Sequence, residues 1–225
     1  MITKLTTTIL CMLLATGMLI SCKKDAETVP KEKGIIEDPA NYVVYIRLQS
    51  PSGSAYYDEL YDFSPDNKMY TYTPEIPQGA IRNYSIDGNI LKIEGTMVEI
   101  TQDKVTNEGG WDIKDFAILK KQSSNQLAGK VYTGVYYKND GSVLHPSFFY
   151  QFHPSSTTKK AGLVFPTVAR EDTYILIGGV AALGKNIPGY PGDAELLVLV
   201  NEKLYVNYYD STNDKMYSGI FSKQQ

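Results

Sequence analysis

The chain of 225 residues predicts an all-β fold, with antiparallel strands closed into a barrel or stacked as a sandwich. Three observations carry this expectation. Apolar residues recur at every second position, and helical spacing is nearly absent. The composition suits pleated, half-buried surfaces, with 18 Tyr against 7 Phe and one Trp alongside frequent Val, Ile and Thr. Short apolar runs are separated at even intervals by Gly, Asn, Asp and Pro, the pattern of a sandwich or barrel.

The first residues stand apart from this pattern. Lys4 is followed by an apolar run from Ile9 to Ile20, then by Ser21 and Cys22. That is the plan of a secretory signal, and the run is shorter than the roughly 20 residues a membrane span needs. Leu19-Ile20-Ser21-Cys22 resembles the lipobox of bacterial lipoproteins. The resemblance implies that residues 1–21 are removed and that Cys22 is lipidated and becomes the N-terminus. Cys11 lies inside the discarded run, so Cys22 would have no disulfide partner. Two or three acyl chains hold a protein to a membrane nearly permanently, whereas one holds it reversibly. Lys23 stands where the family's inner-membrane retention signal places Asp, which implies the outer membrane. Lys23-Lys24-Asp25-Ala26-Glu27 also resembles the signals that carry some lipoproteins to the cell surface. Residues 22–39 are charged and carry proline without apolar period, and they read as a flexible tether.

The first strand is Tyr42 to Gln49, with Val44, Ile46 and Leu48 on one face and Arg47 and Gln49 on the other, expected to be half-buried. Strands are expected next at 57–64 and 68–73. Tyr84-Ser85-Ile86 and Ile90-Leu91-Lys92-Ile93 flank Asp87-Gly88-Asn89 as a hairpin, because Asp-Gly readily supplies positive φ. Further strands are expected at 97–102, 115–120, 131–138, 147–153, 161–165 and 173–178. Leu196–Val200 and Leu204–Tyr208 flank a turn at Asn201-Glu202, and the last strand covers 215–221. Residues 184–192, rich in Gly and Pro, read as a long loop.

The polar stretch Lys121–Gln126 divides this pattern into halves, 40–122 and 126–225. The segment Gly53–Pro65 resembles Gly141–Pro154 when one residue is inserted, so that Tyr61, Phe63 and Pro65 meet Tyr150, Phe152 and Pro154. Phe63-Ser64-Pro65-Asp66-Asn67-Lys68 and the hairpin Tyr84–Ile93 resemble the small lipocalin-like domains of bacterial outer-membrane lipoproteins. The second half keeps the Phe-x-Pro turn and the late hairpin but separates them further. That resemblance implies an up-and-down barrel, complete or partial, whose interior holds an apolar ligand or is filled by side chains.

His145 and His153, the two histidines, fall about 26 Å apart on a straight strand at roughly 3.3 Å per residue. Both therefore read as surface or turn residues, and no metal is expected. On the strand between them, Phe148, Tyr150 and Phe152 share one face, and Ser147, Phe149, Gln151 and His153 the other. Gly179–Asn186 nearly spells a phosphate loop, but Asn186 stands where Ser or Thr should bind magnesium, and Pro188 and Pro191 prevent the following helix. Asp210–Asp214, and Asp62 with Asp66, lack the ordered spacing of a calcium loop. No Gly-x-Ser-x-Gly elbow occurs. Leu204, Val206 and Tyr208 should face inward, leaving Tyr205, Asn207 and Tyr209 outside. With Tyr136 and Tyr190, these three are the candidate contacts for a glycan, a small ligand or a partner protein.

Removing residues 1–21 takes away Lys4 and no acid, moving the formal charge from −3 to −4. No basic stripe exists to neutralise phosphates, so nucleic acid is not an expected partner. The expectation is a non-enzymatic lipoprotein of the outer membrane or cell surface, lipidated on Cys22, that requires no cofactor. It would bind a small ligand, a glycan or an envelope protein. The alternatives are a structural or assembly lipoprotein and an unfamiliar hydrolase.

Overall fold

The structure, a computed structural model, describes residues 33–49, 56–76, 79–107 and 109–224. A single 3₁₀ turn, Pro39–Asn41, precedes sixteen strands among these residues. The first eight are β1 (Tyr42–Gln49), β2 (Tyr56–Phe63), β3 (Lys68–Tyr72), β4 (Ala80–Asp87), β5 (Ile90–Ile93), β6 (Val98–Ile100), β7 (Val105–Asn107) and β8 (Asp112–Lys120). They form an antiparallel meander in which β8 returns to pair with β1, giving the order β7-β6-β5-β4-β3-β2-β1-β8. The second eight are β9 (Val131–Lys138), β10 (Val143–Phe152), β11 (Thr158–Gly162), β12 (Arg170–Ile177), β13 (Ala181–Ile187), β14 (Tyr190–Val200), β15 (Lys203–Asp210) and β16 (Lys215–Lys223). Here β16 returns to β9 and the ring closes into a barrel. The protein is all-β, in two antiparallel eight-stranded halves, consistent with a lipocalin-like plan.

The same connectivity occurs twice, and the residues paired by sequence occupy matching places. Phe63 lies in the core of the first half and Phe152 in the core of the barrel. Phe63 meets Tyr84 edge to face at 5.2 Å, and Phe152 meets Tyr174 in the same way at 5.5 Å. The turns also correspond: Ser64 N–H donates to the Lys68 carbonyl at 2.8 Å, and His153 N–H to that of Thr158 at 3.0 Å. Residues 53–55 of the look-alike stretch lie outside the described residues. The halves differ at the seam. In the first, β7 and β8 are the two edges of an open sheet, whereas every barrel strand is paired on both sides.

Besides β7, which is not among the expected strands, and β11, which begins three residues before the expected 161–165, two details depart from the sequence reading. β1 is buried along nearly its whole length, because its outer face is covered rather than wet. Val43, Tyr45 and Leu60 of the first half pack against Leu183, Leu196 and Val198 on the outside of the barrel. Within this contact Arg47 forms a buried fork on Asp58, Nε to Oδ1 at 2.8 Å and Nη2 to Oδ2 at 2.7 Å, and its guanidinium lies 5.0 Å from the Tyr205 ring centre. The second departure is the expected loop at 184–192. Residues 181–187 and 190–200 are paired strands joined by a tight turn at Pro188-Gly189.

The joint between the halves is pinned to the β12–β13 turn. The N–H groups of Gln122 and Gln126 donate to the carbonyls of Gly178 and Gly179 at 2.9 and 2.8 Å. Gly179 has φ +72°, and a Cβ there would lie 2.4 Å from the Gln122 carbonyl oxygen. Only glycine fits this position without strain.

Candidate ligand site in the second barrel

Parity along the strands decides what enters the barrel. Ala161 on β11, Tyr174 and Leu176 on β12, and Leu197 and Leu199 on β14 face the core. Two residues away from each set, on the same faces, stand Lys159, Asp172 with Arg170, and Glu195 with Asp193. Five ionisable side chains are thereby carried inward by strands whose apolar residues fix the register.

Three layers result. The lowest is a packed core of Tyr132, Phe152, Ala161, Tyr174, Leu197, Leu204 and Val206. The middle layer is a charged cluster. The Lys159 and Glu195 side chains are wholly buried, and Asp172 nearly so. Lys159 Nζ pairs with Asp172 and lies 2.7 Å from Glu195 Oε1. Arg170 Nη1 donates to Asp172, and its Nη2 donates to Glu195 Oε2 at 2.7 Å. The Tyr150 hydroxyl donates to the same Oε2 at 2.6 Å and shares a hydrogen bond with the Tyr136 hydroxyl. β13 passes this cluster with Gly184, where a Cβ would stand 3.1 Å from Glu195 Cγ and 3.2 Å from Lys159 Nζ.

Each buried ion has given up several kcal/mol of hydration, so the cluster persists only because cations and carboxylates meet. Burial pushes the Glu195 carboxyl up, but Arg170 and Lys159 outweigh it and hold the group at about 2. At Asp172 the balance is reversed. Burial and the neighbouring Glu195 charge raise it, and Lys159 and Arg170 only partly offset them. For Arg170, burial weakens the cation, but Glu195 and Tyr150 reverse that and keep it charged. Tyr150 is driven well up by burial and by Glu195.

The uppermost layer is open. A cavity of about 330 Å³ at the mouth is walled by Tyr136, Leu144, His145, Phe148, Tyr190, Tyr208 and Tyr217, with Leu163, Ala169 and Arg170 completing its lining. The rings brace one another: Phe148 lies 5.1 Å from Tyr136 and 5.4 Å from Tyr150, geometries worth about 0.5–1.5 kcal/mol each beyond burial. The Tyr208 hydroxyl is anchored on Asp193 Oδ2, and Ser211 donates its N–H and hydroxyl to Oδ1 of the same carboxylate at 2.9 and 2.8 Å. Arg170 is the one formally charged residue on the cavity wall.

Tyr190, 58% exposed, stands on the rim, while Tyr136 is buried beneath it rather than presented at the surface. Leu204, Val206 and Tyr208 do face inward. Tyr205 and Asn207 lie on the outer face, but the first half covers them. The Tyr205 hydroxyl donates to Asp115 at 2.7 Å, and Asn207, fully buried, donates to the Tyr56 carbonyl at 3.1 Å. They are interface residues, a correction to their expected exposure. Tyr209 is half-buried on that same face and donates to Asp214 at 3.0 Å. His145 belongs to β10 and lines the open cavity, partly exposed, and burial lowers its imidazole from the usual range. His153 sits in the turn after β10 and accepts from Ser155 N–H at 3.2 Å. The structure does not bring the two histidines together at the cavity. Cys22 lies outside the described residues.

Sequence reasoning missed Lys159, Arg170, Asp172, Asp193 and Glu195. The available signal was parity: Asp172 shares a face with Tyr174, and Glu195 with Leu197. No protein-family model matches the chain, and no curated protein matches its sequence.

Proposed function

We propose that this protein is a lipid-anchored envelope lipoprotein whose second barrel holds a small molecule at its mouth without transforming it. The observation that carries the reading is the aromatic cavity of about 330 Å³ above a closed charged floor. Small-molecule sites are concave, mainly apolar and provided with few polar groups, at about 300–1,000 Å³. Non-catalytic binding is supported by the state of the carboxylates. Glu195 and Asp172 are ion-paired with Lys159 and Arg170 and shielded from solvent, whereas a working acid or base must reach its substrate. The rival reading, an assembly lipoprotein with no ligand, draws on the filled layers below the mouth.

Anchoring rests on the Leu19–Cys22 motif. Cys22→Ala should leave the precursor unprocessed and unlipidated in a palmitate-labelling assay. Normal maturation of the variant would remove the lipoprotein from this proposal.

Ligand binding is tested with N-phenyl-1-naphthylamine, a neutral fluorescent probe, on chain beginning at Lys23. This form retains the compact unit Lys33–Gln225 and has no acyl chains to compete for probe. Saturable binding of one probe per chain is expected, and Ala169→Trp on the cavity wall should abolish it while leaving the melting temperature near that of the parent. Equal binding by parent and variant, or no binding at all, would favour the assembly role.

A further inference from the structure

We infer that the ligand of this cavity is an uncharged, ring-bearing molecule that presents a carbonyl or hydroxyl oxygen to Arg170. The inference rests on the proposed binding role and specifies its chemistry. Guanidinium has five N–H donors. Arg170 places one on Asp172 through Nη1, one on Glu195 through Nη2, and one, at 3.5 Å, on the Tyr150 hydroxyl. The Nε–H and one Nη1–H have no acceptor among the described residues, and the side chain, 11% exposed, lines the cavity. These donors belong to a side chain that the cavity leaves partly open, so a ligand oxygen at its floor can accept from the guanidinium and complete the set.

The charge of the surroundings selects against an anion. Lys159 and Arg170 are matched by two carboxylates, Asp172 and Glu195, so Arg170 is already neutralised and a further negative charge would enter an interior with no cation to spare. A cation fares no better. The carboxylates lie behind the wall with their oxygens engaged by Arg170, Lys159, Tyr150, Tyr208 and Ser211, and His145 is held toward its neutral form by burial. The ring-bearing body follows from the walls: Tyr136, Phe148, Tyr208 and Tyr217 offer edges and faces for stacking.

The test compares three probes with one ring system, 2-acetylnaphthalene, 2-ethylnaphthalene and 2-naphthoate, by isothermal titration into the chain beginning at Lys23. The acetyl compound should bind about 10- to 100-fold more tightly than the ethyl compound, the range for a hydrogen bond to a charged group, and more tightly than naphthoate. Carbonyl-labelled acetylnaphthalene should show the carbon-13 shift of a hydrogen-bonded ketone, a readout that does not depend on whether an Arg170 variant folds. Equal affinity for acetyl and ethyl probes, or tightest binding of naphthoate, would overturn the inference while leaving the cavity as a binding site. Failure of all three to bind would overturn the binding role itself.

Discussion

Glu195→Ala is expected to destabilise the fold by about 3–5 kcal/mol in urea unfolding, because Lys159 and Arg170 would be left buried with one carboxylate between them. Folded domains are stable by only about 5–15 kcal/mol, so the variant should be marginal. Lys159→Met should have a similar effect for the mirrored reason. The double variant Lys159→Met, Glu195→Leu leaves Arg170 paired with Asp172 and fills the vacated space with apolar atoms. It should be more stable than either single variant, since replacing a buried ion pair by well-packed apolar groups is often neutral or favourable. A double variant as unstable as the sum of the singles would contradict the cluster. The pH dependence carries its own sign. Because Glu195 is held at about 2 in the folded protein, its contribution is complete above the ordinary carboxylate range and is lost as pH falls through about 2. Asp172, raised on folding, acts oppositely, its ionisation opposing stability as pH rises past its unfolded value.

Phe152→Ala should lower stability by about 3–5 kcal/mol, the range for deleting a ring from a packed core. Phe152 is 1% exposed and meets Tyr132 and Tyr174 edge to face, and the rigid backbone of a closed barrel cannot collapse into the space. Phe63→Ala, at the matching place in the first half, should do the same. The halves share an apolar contact and belong to one compact unit, so each variant should shift a single cooperative transition. Two resolved transitions, with each substitution moving only one, would show that the halves fold independently.

Much of this architecture was legible from alternation. Tyr42–Gln49, the Asp87-Gly88 hairpin and the paired runs around Asn201-Glu202 declare themselves because apolar and polar residues trade places along them. β13 did not. Ala181 and Leu183 face the first half while Ala182 and Gly184 face the barrel interior, so both faces are buried and no alternation marks the strand. Small residues are required on the inner face because Lys159 and Glu195 fill the space opposite, and in sequence that requirement resembles a glycine-rich loop. The charged cluster is hidden in the sequence because Lys159, Asp172 and Glu195 stand at inward parity on strands whose charged residues ordinarily face solvent. Parity places Tyr205 and Asn207 on the outer face of the barrel, but one half's sequence does not announce that the other will cover that face.

The binding role turns on where a small neutral aromatic settles in the molecule. A crystal structure of the chain from Lys23 soaked with 2-acetylnaphthalene is the most direct measurement. The expected result is density for the ring system among Tyr136, Phe148, Tyr208 and Tyr217, with the carbonyl oxygen within hydrogen-bond distance of the Arg170 guanidinium. An empty mouth at saturating probe, or a probe held elsewhere on the protein, would contradict it.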